Sequence, residues 1–325
     1  MDRVTRPDAP GSLGRDHVPP EERRISSRPT PLGRNDVSTH APGVTAAPRA
    51  GARVGLGIVI VMALTLGRSA VYSVLSLLDV LTRPQPMSQQ ITPMNVAATP
   101  DRPWLSLSYQ VATVILPLAQ VLLVLYLLHV ALRDRWLRAR LTLRGDDAPP
   151  AAETPVAPDR PPSARRLIGF DLTRPGRDLL YAVALFAGVG LPGLGFYLLA
   201  RQLGLNTAVS AANLGGVWWA VPALIVAALM AGLQEEVIML GYLLTRLEDL
   251  RWNPWAALMV SAVIRGSYHL YQGWGGALGN LVMGLVFGWC YQRWGRVLPL
   301  VLAHTFMDIA AFVGYAALAP HVGWL

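Results

Sequence analysis

Residues 221–244 read VPALIVAALMAGLQEEVIMLGYLL, a run long and apolar enough to cross a bilayer except for two adjacent carboxylates, Glu235 and Glu236. A charge at the bilayer centre costs about 2.5–3.5 kcal/mol on insertion scales. Paired acids retained there imply chemistry or ion handling. Further along lie His269, then His304 and Asp308, each within another apolar segment; the last two, four residues apart, share a helix face. The stretch thus announces both a membrane span and an acid/base cluster inside it.

The rest of the chain agrees with the first implication. Of 325 residues, 53% are hydrophobic and 15% charged, and the mean hydropathy is +0.38. Several apolar runs approach the ~20 residues that a spanning helix needs. The fold class expected is all-α, a polytopic transmembrane bundle of about seven spans, near 54–78, 106–132, 179–200, 217–246, 254–271, 276–292 and 297–317. Arginine-bearing segments alternate with arginine-poor ones along the chain, which places the N-terminus in the cytoplasm and the C-terminus outside.

Net charge of +8 comes from arginines beside the spans, the ordinary mark of cytoplasmic loops, so no nucleic-acid partner is expected. Cys290 is the sole cysteine, which excludes an intrachain disulfide or a CxxC metal site. Residues 1–52 mix Arg, Pro, Gly, Ser and Asp without periodicity and read as a disordered cytoplasmic tail. Residues 53–132 hold two N-terminal helices, 133–178 a basic Pro/Ala-rich cytoplasmic linker, and 179–317 the core that carries the polar cluster. Gly284 and Gly288 form a small-xxx-small pair, expected to let helices approach apart from the polar site.

A carboxylate beside an imidazole can take a proton from water and return it to a leaving amine. A second His with an Asp can polarise a carbonyl oxygen. Two His and a Glu also match the ligand types of a catalytic zinc site, with Glu235, His269 and His304 as candidates. Without HExxH such a site needs three helices, so the cofactor stays open between zinc and none, with a metal-free glutamate mechanism slightly preferred. A Glu pair can equally serve a proton-coupled transporter.

Three ordered segments, QEEVIMLGYLL (234–244), IRGSYH (264–269) and LAHTFMD (302–308), resemble the motifs of the CPBP family, the CAAX-protease and bacteriocin-processing (Abi) intramembrane proteases. The intervening GGALGNLVMGLVFGWCYQRWGRVLPLVLAH is similar to that family's glycine-rich helix and turn. The resemblance covers about 217–313. It implies an intramembrane endopeptidase, described in the family as a metalloprotease or as a metal-free glutamate enzyme, acting on a membrane-associated protein or peptide in a multi-pass cell-membrane setting, here a bacterial plasma membrane. By position, Glu235 and Glu236 are the first motif's glutamates, His269 the second motif's histidine, and His304 and Asp308 the third motif's pair. On the metal-free view Glu235 with His269 activates water, while His304 and Asp308 hold the oxyanion.

Two positions depart from the pattern. Leu240 stands where the first motif has arginine, and Arg265 where the second has phenylalanine. Arg265 is expected to supply the displaced cation, with Arg68 as the other candidate. A member that has lost catalysis and binds or regulates a membrane partner is the alternative these departures raise.

Overall fold

Helix α3 runs 40 residues from Pro103 to Thr142, well past the expected linker boundary at 133. The reason is local: RDRWLRARLT has no glycine or proline, and Leu, Arg and Ala are strong helix formers. This computed structural model describes residues 48–142, 161–319 and 321. The parts of the expected tail up to 47 and of the linker over 143–160 lie outside the described residues.

The first helix also starts earlier than expected, α1 spanning Pro48–Leu64 and α2 Leu66–Thr82. The single span expected there is bent by 49°. At the break Thr65 Oγ1 donates to the Val61 carbonyl at 2.7 Å, a back-bond that commonly bends helices. After a short strand, β1 (Ile91–Pro93), come α3, a four-residue turn α4 (Ala164–Leu167), α5 (Pro175–Leu185) and α6 (Leu191–Gln202). A π-turn at Phe186–Gly190 joins the last two. Strand β2 (Ala208–Ser210) pairs in parallel with β1, Ile91 opposite Ala208 and Pro93 opposite Ser210.

Helix α7 (Ala220–Glu236) ends at the glutamates, where the chain passes into a π-helical stretch, Val237–Leu244, and then α8 (Thr245–Asp249). Such π-segments recur at functional sites. Helix α9 (Pro254–Ser267) is started by Asn253, whose Oδ1 accepts from the Trp255 amide at 2.9 Å. A 3₁₀ turn at Leu270–Gln272 leads to α10 (Trp274–Trp294), and α11 spans Leu298–Leu318. Helix α7 packs on α11 and α3, and α9 on α10.

The chain is a multi-pass helical membrane protein. Among the described residues four helical stretches qualify as spans by length and composition, 103–140, 175–202, 220–249 and 298–318, or five if the bent α1–α2 pair counts as one. The expected count of seven adds α9 and α10. At 14 residues, α9 is about 21 Å long, short of the ~30 Å hydrocarbon layer.

Candidate active site

Close contact between α7 and α11 brings the first and third motifs together. A Cβ at Gly232 would lie 2.9 Å from Thr305 Oγ1 and 3.0 Å from the Val301 carbonyl, so only glycine permits this approach one turn before Glu236. The approach places His304 Nδ1 2.7 Å from Glu236 Oε1. Glu236 is fully buried.

Arg265, 1% exposed, enters from α9 and joins the cluster. Its Nη2 donates to Glu236 Oε1, and its Nη1 reaches Glu236 Oε2 at 3.2 Å. The same Nη2 is 3.2 Å from Glu235 Oε2 and 3.2 Å from His304 Nδ1. One guanidinium therefore faces both carboxylates, which answers the repulsion between adjacent buried anions. Its Cζ lies over the Phe287 ring, 5.7 Å from the centroid. Gly284 gives the arginine stem room, since a Cβ there would meet Arg265 Cδ at 3.1 Å and Ala262 Cα at 3.1 Å. Gly284, expected together with Gly288 to act apart from the polar site, thus borders it, while Gly288 faces Leu258.

Glu235 is less enclosed, its side chain 14% exposed. Its Oε2 accepts from Tyr268 Oη at 2.8 Å and lies 3.8 Å from His269 Nε2. His269 does not sit in helix α9, which ends at Ser267; it opens the 3₁₀ turn that follows. Both of its ring nitrogens are buried without a hydrogen-bond partner among the described residues. Tyr268 and Tyr271 flank its ring at centroid distances of 4.9 and 6.1 Å. His304 Nε2 points toward Asp308 Oδ2 at 3.6 Å.

Glu235, Glu236, Arg265, His269, His304 and Asp308 are thus linked by contacts of 3.8 Å or less. Arg68 is not among them: it is exposed on α2 and packs over Tyr72 at 5.4 Å. Leu240, at the position of the family arginine, is fully buried in the apolar core. Tyr268 was not anticipated from sequence, although a phenol next to the motif histidine is its visible signal. Ser73 of α2 was not anticipated either; its Oγ accepts from the Tyr271 amide at 2.7 Å and fixes the turn that carries His269.

A zinc ion does not fit this donor set. Among the described residues no three His, Cys, Asp or Glu side chains converge as a metal cage. The Arg265 guanidinium already contacts Glu235, Glu236 and His304, and a cation so placed opposes a second one.

Chemically, the cluster offers a carboxylate with one oxygen engaged, an imidazole with open nitrogens, and a second imidazole backed by a carboxyl. No curated protein and no solved structure matches the chain. The family whose model matches residues 217–310, and so the one this polar core is similar to, is described as type II CAAX prenyl endopeptidase, Rce1-like.

Proposed function

We propose that the protein is an intramembrane endopeptidase in which Glu235 is the general base. One observation carries this reading: Arg265, Tyr268 and His269 all approach Oε2 of Glu235, which leaves Oε1 to take a proton from water. The water oxygen bonds to the scissile carbonyl carbon as that proton passes to Glu235. The carbonyl electrons move onto oxygen, where His304 Nε2–H and the protonated carboxyl of Asp308 donate hydrogen bonds to the developing charge. Collapse restores the carbonyl and breaks the C–N bond, and the departing amine takes the proton from Glu235. His269 orients the water or the amine. Glu236, held by Arg265 and His304, is a positioning residue that keeps this frame in register.

A membrane-embedded protein or peptide is the substrate class. The test reconstitutes the full chain in liposomes with internally quenched membrane peptides, including one ending in a farnesylated CAAX sequence. Wild type is expected to cleave at least one, and Glu235→Gln to lose about 10²–10⁴-fold in rate while remaining folded. Equal rates in the two proteins would overturn the assignment.

A further inference from the structure

Tyr271 is fixed at its backbone and ring, yet its hydroxyl proton is held weakly. The amide donates to Ser73 Oγ at 2.7 Å, and the carbonyl accepts from Thr92 Oγ1 at 3.4 Å. The ring stacks on His269, 27° from parallel with centroids 6.1 Å apart. Gln272 Nε2 donates to the phenol oxygen at 2.9 Å, which leaves the O–H to find an acceptor elsewhere. Among the described residues that acceptor is Met94 Sδ, at 3.9 Å. A thioether is a weak acceptor, and the same sulfur also faces Gln272 Nε2 at 3.9 Å. Met94 follows β1 directly and is pinned there, its amide donating to the Ser210 carbonyl at 2.8 Å.

The surroundings of this hydroxyl are those of the reacting atoms. It interacts electrostatically with both Glu235 and Asp308. In the mechanism above these two act on opposite partners, Glu235 on the water and Asp308 on the carbonyl oxygen. The tetrahedral centre forms between them, and a phenol that senses both carboxyls borders that space. Tyr268 is not equivalent, because its hydroxyl already donates to Glu235 Oε2 at 2.8 Å.

We infer that Tyr271 is a further catalytic residue, whose Oη–H turns from Met94 and donates a hydrogen bond to the scissile carbonyl oxygen as charge develops there; this rests on the endopeptidase reading. The proton stays on the phenol throughout, and only its acceptor changes. Leaving a thioether forfeits little, whereas a hydrogen bond to an anionic oxygen is about twice as strong as a neutral one. The gain therefore falls in the transition state, where it raises kcat. The bond from Gln272 polarises the phenol and makes it a better donor. Ser73, Thr92 and Met94 all precede the family-matched residues 217–310, so the N-terminal part of this chain sets the place of the donor.

The experiment uses the full chain in liposomes with the quenched membrane peptides described above. Tyr271→Phe keeps the ring on His269 and should lower kcat about 10- to 100-fold with KM little changed and melting temperature retained. Met94→Gln places a strong acceptor of similar length beside the phenol. By holding the proton in the resting state it should lower kcat roughly threefold to tenfold. In the Tyr271→Phe background the same change should cost nothing further, because the two act through one hydroxyl. A merely structural role at 271 would not produce that coupling. Full kcat in Tyr271→Phe, a loss confined to KM, or an equal cost of Met94→Gln in both backgrounds would overturn the donor. Should Tyr271→Phe melt early, Met94→Gln still decides, since a wild-type kcat there sinks the inference. Full activity of Tyr271→Phe beside an inactive Glu235→Gln removes the donor and leaves the endopeptidase standing. A wild type that cleaves none of the peptides, or a Glu235→Gln protein that cleaves them equally well, overturns both.

Discussion

Arg265 Nη2 lies 3.2 Å from Glu235 Oε2, although the arginine occupies a position where the family pattern has phenylalanine. Leu240, where that pattern has arginine, supplies no cation, and the guanidinium beside the carboxylates comes from α9 instead.

Removing that guanidinium strands buried carboxylate charge, which typically costs about 3–5 kcal/mol. Arg265→Phe is expected to lower thermal stability in detergent and to abolish cleavage. Combining it with Leu240→Arg, four residues beyond Glu236 and buried in the same core, should recover part of both. An Arg265→Phe protein that melts and cleaves like wild type would show that the ion cluster is dispensable.

Tyr268 bears on the base alone. Its hydroxyl reaches Glu235 at 2.8 Å, and a hydrogen bond to a charged group is worth about 1.5–3 kcal/mol. Tyr268→Phe should keep the fold and lose roughly 10- to 100-fold in kcat with KM little changed. A loss confined to KM would place the hydroxyl on the substrate instead of the base.

Much of this arrangement is legible in sequence, and the misses have physical causes. Buried charge inside an apolar run is so costly that Glu235, Glu236, His304 and Asp308 declare themselves. Arg265 could be inferred because two adjacent anions demand a cation, but spacing could not choose between it and Arg68. Arg68, the other candidate, lies on α2 just past the bend at Thr65, exposed and over the Tyr72 ring, away from the carboxylates. His269 was placed in a helix because an apolar run does not reveal where the α-helical hydrogen bonding stops. Tyr268 and Ser73 were invisible for a different reason: each acts through one contact to a residue on another segment.

Ser73 tests whether the N-terminal helices help to position the site. It is 2% exposed, and its bond to the Tyr271 amide ties α2 to the turn after His269. Ser73→Ala should lower kcat with little change in melting temperature, whereas Ser73→Thr, which restores the oxygen, should recover most of it. Faster hydrogen exchange over 269–273 in the alanine variant is the accompanying signature. Unchanged exchange and unchanged kcat would release α2 from any role at the site.

Topology separates five crossings from seven. Reporter fusions after residues 90, 150, 210 and 320 are expected to read outside, inside, outside and outside. Both odd counts give that result, so the α9–α10 turn decides. Trp274 is half exposed there. Trp274→Cys in a Cys290→Ala protein should react with an impermeant maleimide added outside intact cells if both helices cross. Protection from either side would make α9 and α10 a re-entrant pair.

The last prediction concerns the segment leading into α5. Arg296, in the turn between α10 and α11, donates from Nε and Nη2 to buried Asp178 at 2.9 and 2.7 Å, and from Nη2 to Asp171 Oδ1 at 3.1 Å. The Val297 amide adds a bond to the Ile168 carbonyl at 2.8 Å, so the stretch before α5 is clasped to the turn that starts α11. Burial pushes the Asp171 carboxyl up, but hydrogen bonds from Thr173 and Arg296 outweigh it and hold the group at about 2 instead of 3.8. A carboxyl lowered in the folded state contributes stability that is complete above its unfolded value and disappears as pH falls through the folded one. The contribution of Asp171 should therefore be intact above about pH 4 and fade toward pH 2. Thermal unfolding of wild type and Asp171→Asn across this range is the measurement. The variant should melt lower at pH 6 and converge with wild type at pH 2. A gap that persists at pH 2 would assign the loss to packing of the loop and remove the charge from the clasp.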